Sequence, residues 1–240
     1  WEHVQYGLDQ LSPGDTLNIM AGEYNEKVVV SASGTANARI TIRKYGNDEA
    51  VLDGTGAGND VPMLHISSKD FITIDGLIIR DNEMLDAQGI LVDGGSDGII
   101  IQNCTLYNIN YSINATTQPT ETDNAQPIIV YGSLGNDAIS ELQILNNEIR
   151  NCWTGFSEAL AVNGNVDGFV ISGNLVKDIA NIGIDVIGHE GTSPNPATDQ
   201  ARNGAVTDNT VFNCVSEYAT AAGIYVDGGK DIVIERNRSY

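Results

Sequence analysis

Apolar residues in this chain come in short alternating runs, and the runs repeat. The stretch Glu158 to Asp185, EALAVNGNVDGFVISGNLVKDIANIGID, holds one whole period. Leu160 and Val162 lead through Gly-Asn to Phe169 and Ile171. An Asn corner at Asn174 follows, then Leu175-Val176, and the pattern starts again at Gly183-Ile184-Asp185-Val186. Val162 to Val186 is 24 residues, three short strands with turns between them. The Gly-Ile-x-Val-x-Gly start recurs at Gly89 to Gly94 and Gly223 to Gly228, with looser copies at Pro127 to Gly132 and Ala159 to Gly164. The strand-then-Asn step recurs at Ile99 to Asn103, Leu142 to Asn147, Ala205 to Asn209 and Ile232 to Asn237. A period of this length, rich in Gly and Asn, predicts a coiled solenoid of parallel strands.

Side chains alternate across a strand, so each copy divides into an inner and an outer set. The apolar pairs Ile90/Val92, Ile128/Val130, Leu160/Val162, Ile184/Val186 and Ile224/Val226 must point inward. Leu91/Asp93, Ile129/Tyr131, Ala161/Asn163, Asp185/Ile187 and Tyr225/Asp227 then point outward, into water. Asn147, Asn174, Asn209 and Asn237 are expected to form an amide ladder in the left-handed backbone region, with Cys104 in its slot in the third coil. A second ladder is expected through Asn108, Asn151, Asp178 and Asn213. Cys152 and Cys214 share one slot two coils apart, with Ile179 between them. Two strand spacings is roughly 9.6 Å, beyond disulfide reach, so they read as small buried hydrophobes.

Two polar segments break the period: residues 110–126 and 189–203. Both flank the Gly-Ile-x-Val-x-Gly sheet, and long loops beside one face of a solenoid mark it as the binding side. The repeat continues almost end to end through 240 residues, which argues for one elongated domain. Residues 1–60 read as a cap and a first, wider coil, and 61–240 as the regular coils, about seven in all. A net charge of −20, from 12 basic and 32 acidic residues, excludes nucleic acid as partner. No run is long and apolar enough for a membrane span. The chain opens on Trp1 and stops inside a coil, and it reads as a piece of a longer, processed protein.

The opening segment, LSPGDTLNIMAGEYNEKVVVSASGTANARITIRKYGNDEAVLDG, holds Pro-Gly-Asp-Thr-Leu, Gly-x-Tyr-x-Glu, a Thr-Ile-x-x-Tyr strand and Leu-Asp-Gly. In these it resembles secreted right-handed parallel β-helix proteins, a group that includes polysaccharide lyases of the chondroitinase B, alginate lyase and pectate lyase kinds. The resemblance implies an all-β, right-handed parallel β-helix of triangular cross-section and an extracellular or cell-surface location. It also implies a carbohydrate-active protein, lyase-like, cleaving an acidic, uronate-containing polysaccharide by β-elimination.

The outward wall of the Gly-Ile-x-Val-x-Gly sheet gathers Glu158, Asn163 and Asp185, with His189 and Glu190 at the root of the second loop. Carboxylates and an amide oxygen clustered in this way suit a hard cation such as Ca²⁺, so Glu158, Asn163, Asp185 and Glu190 are the candidate metal ligands. The same acids could instead do acid–base work, pushing each other's pKa apart. A second outward column, on the third strands, reads Arg80, Tyr107, Arg150, Lys177, Phe212. Its cations suggest a track for an acidic chain, with Tyr131, Trp153 and Tyr225 stacking on sugar rings. By resemblance to the lyases, Lys177 or Arg150 would be base or neutraliser; His189 is a catalytic candidate through the Asp185-x-x-x-His189-Glu190 set, which suits acid–base work. Gly188-His189-Glu190-Gly191 resembles the Gly-His-Gly of polygalacturonases, without their Asn-Thr-Asp and Asp-Asp motifs. The rival class is a non-catalytic surface or filament-forming β-helix that binds glycan or spaces other domains, associating end to end.

Overall fold

A computed structural model describes residues 2–57 and 62–240, so the expected boundary between residues 60 and 61 lies outside the described residues. The chain winds into three parallel sheets that share one core, a solenoid with three strands per coil. The first sheet runs through Thr16–Ile19, Ile40–Lys44, Ile72–Asp75 and onward to Lys230–Glu235. The second runs from Gly22–Tyr24 through Ile78–Glu83, Thr105–Asn110, Glu148–Cys152 and Leu175–Ile179 to Arg238–Ser239. The third holds Val28–Val29, Leu64–Ser67, Ala87–Asp93, Ala125–Gly132, Glu158–Gly164, Ile182–Ile187 and Ile224–Asp227. A short helix, Val4–Leu8, closes the first coil with Val4 and Leu8 buried. No helix among the described residues is long and apolar enough to cross a membrane.

The inner register of the third sheet is the one the alternation demands. Ile90, Ile128, Leu160, Ile184 and Ile224 stand opposite one another, as do Val92, Val130, Val162, Val186 and Val226. From Ile90 to Val186 these side chains are completely buried. Stacking like on like keeps branched side chains in van der Waals contact along the tube, and each buried Ile or Val contributes roughly 1.5–3 kcal/mol.

The first amide ladder is present and buried. Asn147 donates its backbone N–H and its amide to Asn174 Oδ1 at 2.9 and 3.0 Å, and Asn174 does the same to Asn209. Cys104 takes the expected slot, its N–H bonding Asn147 Oδ1. The left-handed backbone, however, is one residue earlier, at Asn103, Asn146, Gly173, Asp208 and Arg236. The turn is made there, and the ladder Asn that follows directs its side chain inward to satisfy buried carbonyls. The second column, Asn108, Asn151, Asp178 and Asn213, does adopt positive φ, 52–57°. Cys152, Ile179 and Cys214 share one register as expected, and all three cysteines are free thiols.

Candidate functional site

Outward positions of the third sheet are not simply wet. Leu91, Ile129, Ala161 and Ile187 form a second apolar cluster there, with Tyr131 packed on it. The two interrupting loops lie over this wall. The first is held on the turn that precedes Glu158: Ala125 N–H bonds Thr154 O, Phe156 N–H bonds Asp123 O, and Ser157 Oγ bonds Asn124 Oδ1 at 3.0 Å. Gly155 makes that contact possible, with φ +63° and a position where a Cβ would lie 1.8 Å from Asp123 O. Gly155→Ala is therefore expected to unseat the first loop, read as faster protease nicking within 110–126, with loss of about 1–3 kcal/mol of stability.

The second loop is tied to the same wall through Asn163. Thr192 Oγ1 donates to Asn163 Oδ1 at 2.9 Å, and Asn163 Nδ2 donates to Glu190 Oε2 at 2.9 Å. Within the loop, buried Asp199 accepts from Gly191 N–H and Ser193 N–H at 2.6 and 2.8 Å. Between the two loops opens a polar cavity of about 370 Å³. Tyr131, Phe156, Ser157, Glu158, Asn163 and Glu190 are among its lining residues. Gln126 donates to Tyr131 OH at 2.8 Å, while burial pushes that phenol up to about 12.

The acids here are strongly perturbed. Burial, then the charge of Asp185, raises Glu158 to about 8, with Glu190 and Asp227 adding to the effect. Burial raises Asp185 to about 7, and Asp227 and Glu190 oppose its ionisation further. Asp185 therefore gives up its proton first, around neutrality, and Glu158 keeps its own to higher pH. Asp185 was expected to face water. It does point away from the tube, opposite Ala161 and Tyr225, yet it is 2% exposed and its Oδ1 has no hydrogen-bond partner. The packed outer wall is the reason.

Glu158, Asn163 and Glu190 come together at the cavity, and Asp185 is buried on the neighbouring strand opposite Ala161. As they stand, Asn163 Oδ1 accepts from Thr192, and among the described residues no three His, Cys, Asp or Glu side chains form a group that could hold an ion. Tyr131 is in the cavity wall, and Tyr225 stands beside Asp185 on the next coil, 44% exposed. His189 is exposed and its ring bonds Gln200 at 2.9 Å.

Lys177 and Arg150 are not brought to this cluster. They face outward from the second sheet, in the expected column with Arg80, Tyr107 and Phe212. One acid serves both there: Lys177 and Arg150 share Glu148 Oε1, at 3.0 and 3.3 Å, and Arg150 also lies 4.2 Å over the Tyr107 ring. Arg80 bonds Asp53 and Glu23 at 2.9 and 2.6 Å. The stacking of cations that suggested a polyanion track thus has an internal explanation. Lys177→Ala is expected to cost under about 1 kcal/mol of stability and to leave turnover within about twofold.

Sequence reasoning did not single out Phe156, Ser157 or Asp199. None belongs to the repeat, and only the folded loops bring them to the wall. It also passed over His65, whose Nε2 lies 3.0 Å from Asp93 on the same sheet, although the outward alternation places both residues there.

The right handed beta helix region family model matches residues 63–240. The uncharacterized protein YwoF of Bacillus subtilis (strain 168) is 37% identical over 252 residues, which cover 99% of this chain and 51% of that protein. The chain thus spans about half the length of the curated relative it matches. Among solved structures, a rhamnogalacturonan lyase superposes with a TM-score of 0.60 at 11% identity, over 97% of this chain and 56% of that one. An alginate lyase from Paenibacillus sp. str. FPU-7 gives 0.42 at 20% identity, over 99% and 92%. At 11% identity the likeness to the rhamnogalacturonan lyase is one of fold alone. Its winding, its register and a family match over most of its length together show that this chain belongs to the right-handed β-helix family.

Proposed function

We propose that the chain is carbohydrate-active and cleaves a polysaccharide in the cavity between its two loops, with Glu158 as proton donor. The observation that carries this is a half-buried carboxyl in the cavity wall that stays protonated up to about pH 8. A donor of that kind suits the departure of a sugar, whose glycosidic oxygen needs a proton as its C–O bond breaks. Glu190, oriented by the Asn163 amide, takes the proton of a water whose oxygen bonds the anomeric carbon. One water is added across the bond, and one proton passes to each partner. Asp185 does not touch substrate in this scheme; it keeps Glu158 protonated.

β-Elimination, as the resemblance implied, uses the same donor but draws its other proton from the carbon beside a uronate carboxylate. That carboxylate would enter a site already crowded with acids. Each ionised neighbour about 5 Å away opposes it by about 3 kcal/mol at an effective dielectric of 20. A neutral chain fits better. Ca²⁺ would reverse this preference, provided Asn163 and Glu190 gave up their present partners to hold it.

The test is an incubation with neutral β-linked glucans and mannans, pectate, alginate and chondroitin sulfate, each with Ca²⁺ or chelator. New reducing ends without ultraviolet absorbance are expected from a neutral chain. Unsaturated product from a uronate chain, dependent on Ca²⁺, would replace hydrolysis by elimination. No product from any of them would favour the non-catalytic surface or filament role, for which end-to-end association in ultracentrifugation is the companion readout. Action outside the cell belongs to the same proposal, since polysaccharides are too large to cross a membrane unaided.

A further inference from the structure

A second cavity, of about 330 Å³, opens at the corner between the second and third sheets. Trp153 and Tyr218 line it together with Ile179, Ala180 and Val215, and Asp178 and Asn213 contribute polar groups. We propose that this corner is a separate binding site for a neutral sugar ring. The inference rests on the reading of the protein as carbohydrate-active and extends it to a surface with no part in the chemistry.

The cavity is built rather than accidental. Tyr218 OH bonds Gly155 O at 2.8 Å and also reaches Ala180 O, and its ring packs 5.2 Å from that of Phe156. The backbone at Trp153 is fixed by its main-chain N–H, which donates to Asn110 Oδ1 at 2.8 Å. Asn213 Nδ2 bonds Asp178 Oδ1 at 2.6 Å. A hexopyranose has an apolar C–H face and a ring of hydroxyls at its edge. An aromatic wall with amide and carboxylate acceptors at its rim matches both features. Asp178 and Glu217 beside it would repel an anionic sugar.

Position links this corner to the first cavity. One turn supplies Trp153 to the corner and Phe156, Ser157 and Glu158 to the acidic cavity. Phe156 and Tyr218 are the shared partition. The first loop covers both, with Thr117 over the corner and Asn124 and Gln126 over the cavity. A chain held at the corner would therefore be presented to Glu158.

Trp1→Phe leaves Trp153 as the sole tryptophan, so its emission reports the corner directly. Titration of that protein with cellohexaose and mannohexaose is expected to give a saturable shift in emission, and trigalacturonate none. Val215→Arg, at a position 62% exposed, should fill the corner without disturbing the core and weaken the response about tenfold or more. Thr117→Arg blocks it from the opposite wall. Glu158→Gln should leave the titration unchanged. A flat Trp153 signal with both neutral sugars in protein that is folded by circular dichroism would overturn the proposal. So would undiminished binding in both blocked variants. Binding without cleavage would leave the corner site standing and remove only the catalytic reading.

Discussion

Glu158→Gln is expected to lower polysaccharide turnover by about 10²–10⁴-fold with the fold intact. Gln keeps the shape of the side chain and cannot release a proton. The parent's turnover should fall along an alkaline limb at about pH 8, where Glu158 loses the proton that the charge of Asp185 helps it keep. Asp185→Asn tests the coupling. Without that charge Glu158 ionises more readily, so the alkaline limb should move to lower pH, a shift that a purely structural role for Asp185 would not produce. Stability follows the same linkage. Both folded-state pKa values are raised, so the stability these carboxyls contribute is fully present below about pH 4. It is lost as pH climbs through about 7 to 8. The parent's Tm should therefore fall between pH 5 and pH 9, and Asp185→Asn should remove part of that fall, on the order of 3 kcal/mol at the alkaline end. Parental turnover in Glu158→Gln at every pH would end the acid–base reading.

Asn174→Ala is expected to be among the most destabilising single changes in the chain, at about 4 kcal/mol by urea unfolding. Asn174 Oδ1 accepts two hydrogen bonds from Asn147, and Nδ2 donates to Ile144 O and to Asn209 Oδ1 at 2.9 and 3.0 Å. All of these lie in the interior. Alanine leaves Asn147 N–H without its acceptor and takes one bond each from Ile144 O and from the Asn147 amide, which keeps Ile101 O, all out of reach of water; an orphaned buried group costs about 1–3 kcal/mol. Asn213→Gly makes the contrast. Asn213 is exposed and left-handed, φ 52°, so glycine removes one bond to Asp178 without strain and should cost under about 1 kcal/mol. Equal losses in the two variants would mean that the buried ladder is not what locks the coils together.

Much of the tube was legible along the chain, and the reason is local. In a parallel solenoid the partner of each residue lies one repeat away. The alternation that turns Leu160 and Val162 inward therefore also sets them opposite Ile128, Val130, Ile184 and Val186. The ladder of Asn147, Asn174 and Asn209 was legible for the same reason. The backbone turn beside it was misplaced by one residue, because Asn is common both in left-handed corners and in buried amide stacks, and sequence does not separate the two uses. The acidic cluster was legible as a set of residues. Its environment was not.

By itself, then, the sequence determined the winding, the inner register and the side of the tube on which Glu158, Asn163 and Asp185 stand, since all three follow from the period of two within strands and the repeat between them. The tertiary structure alone decided that this wall is roofed, that Asp185 is buried opposite Ala161, and that Lys177 and Arg150 look out from another sheet onto Glu148. Those outcomes depend on aperiodic loops closing over the coils through contacts such as Thr192 to Asn163, 29 residues apart. No alternation encodes such contacts, and the desolvation that raises the two carboxyls exists only once the loops have closed.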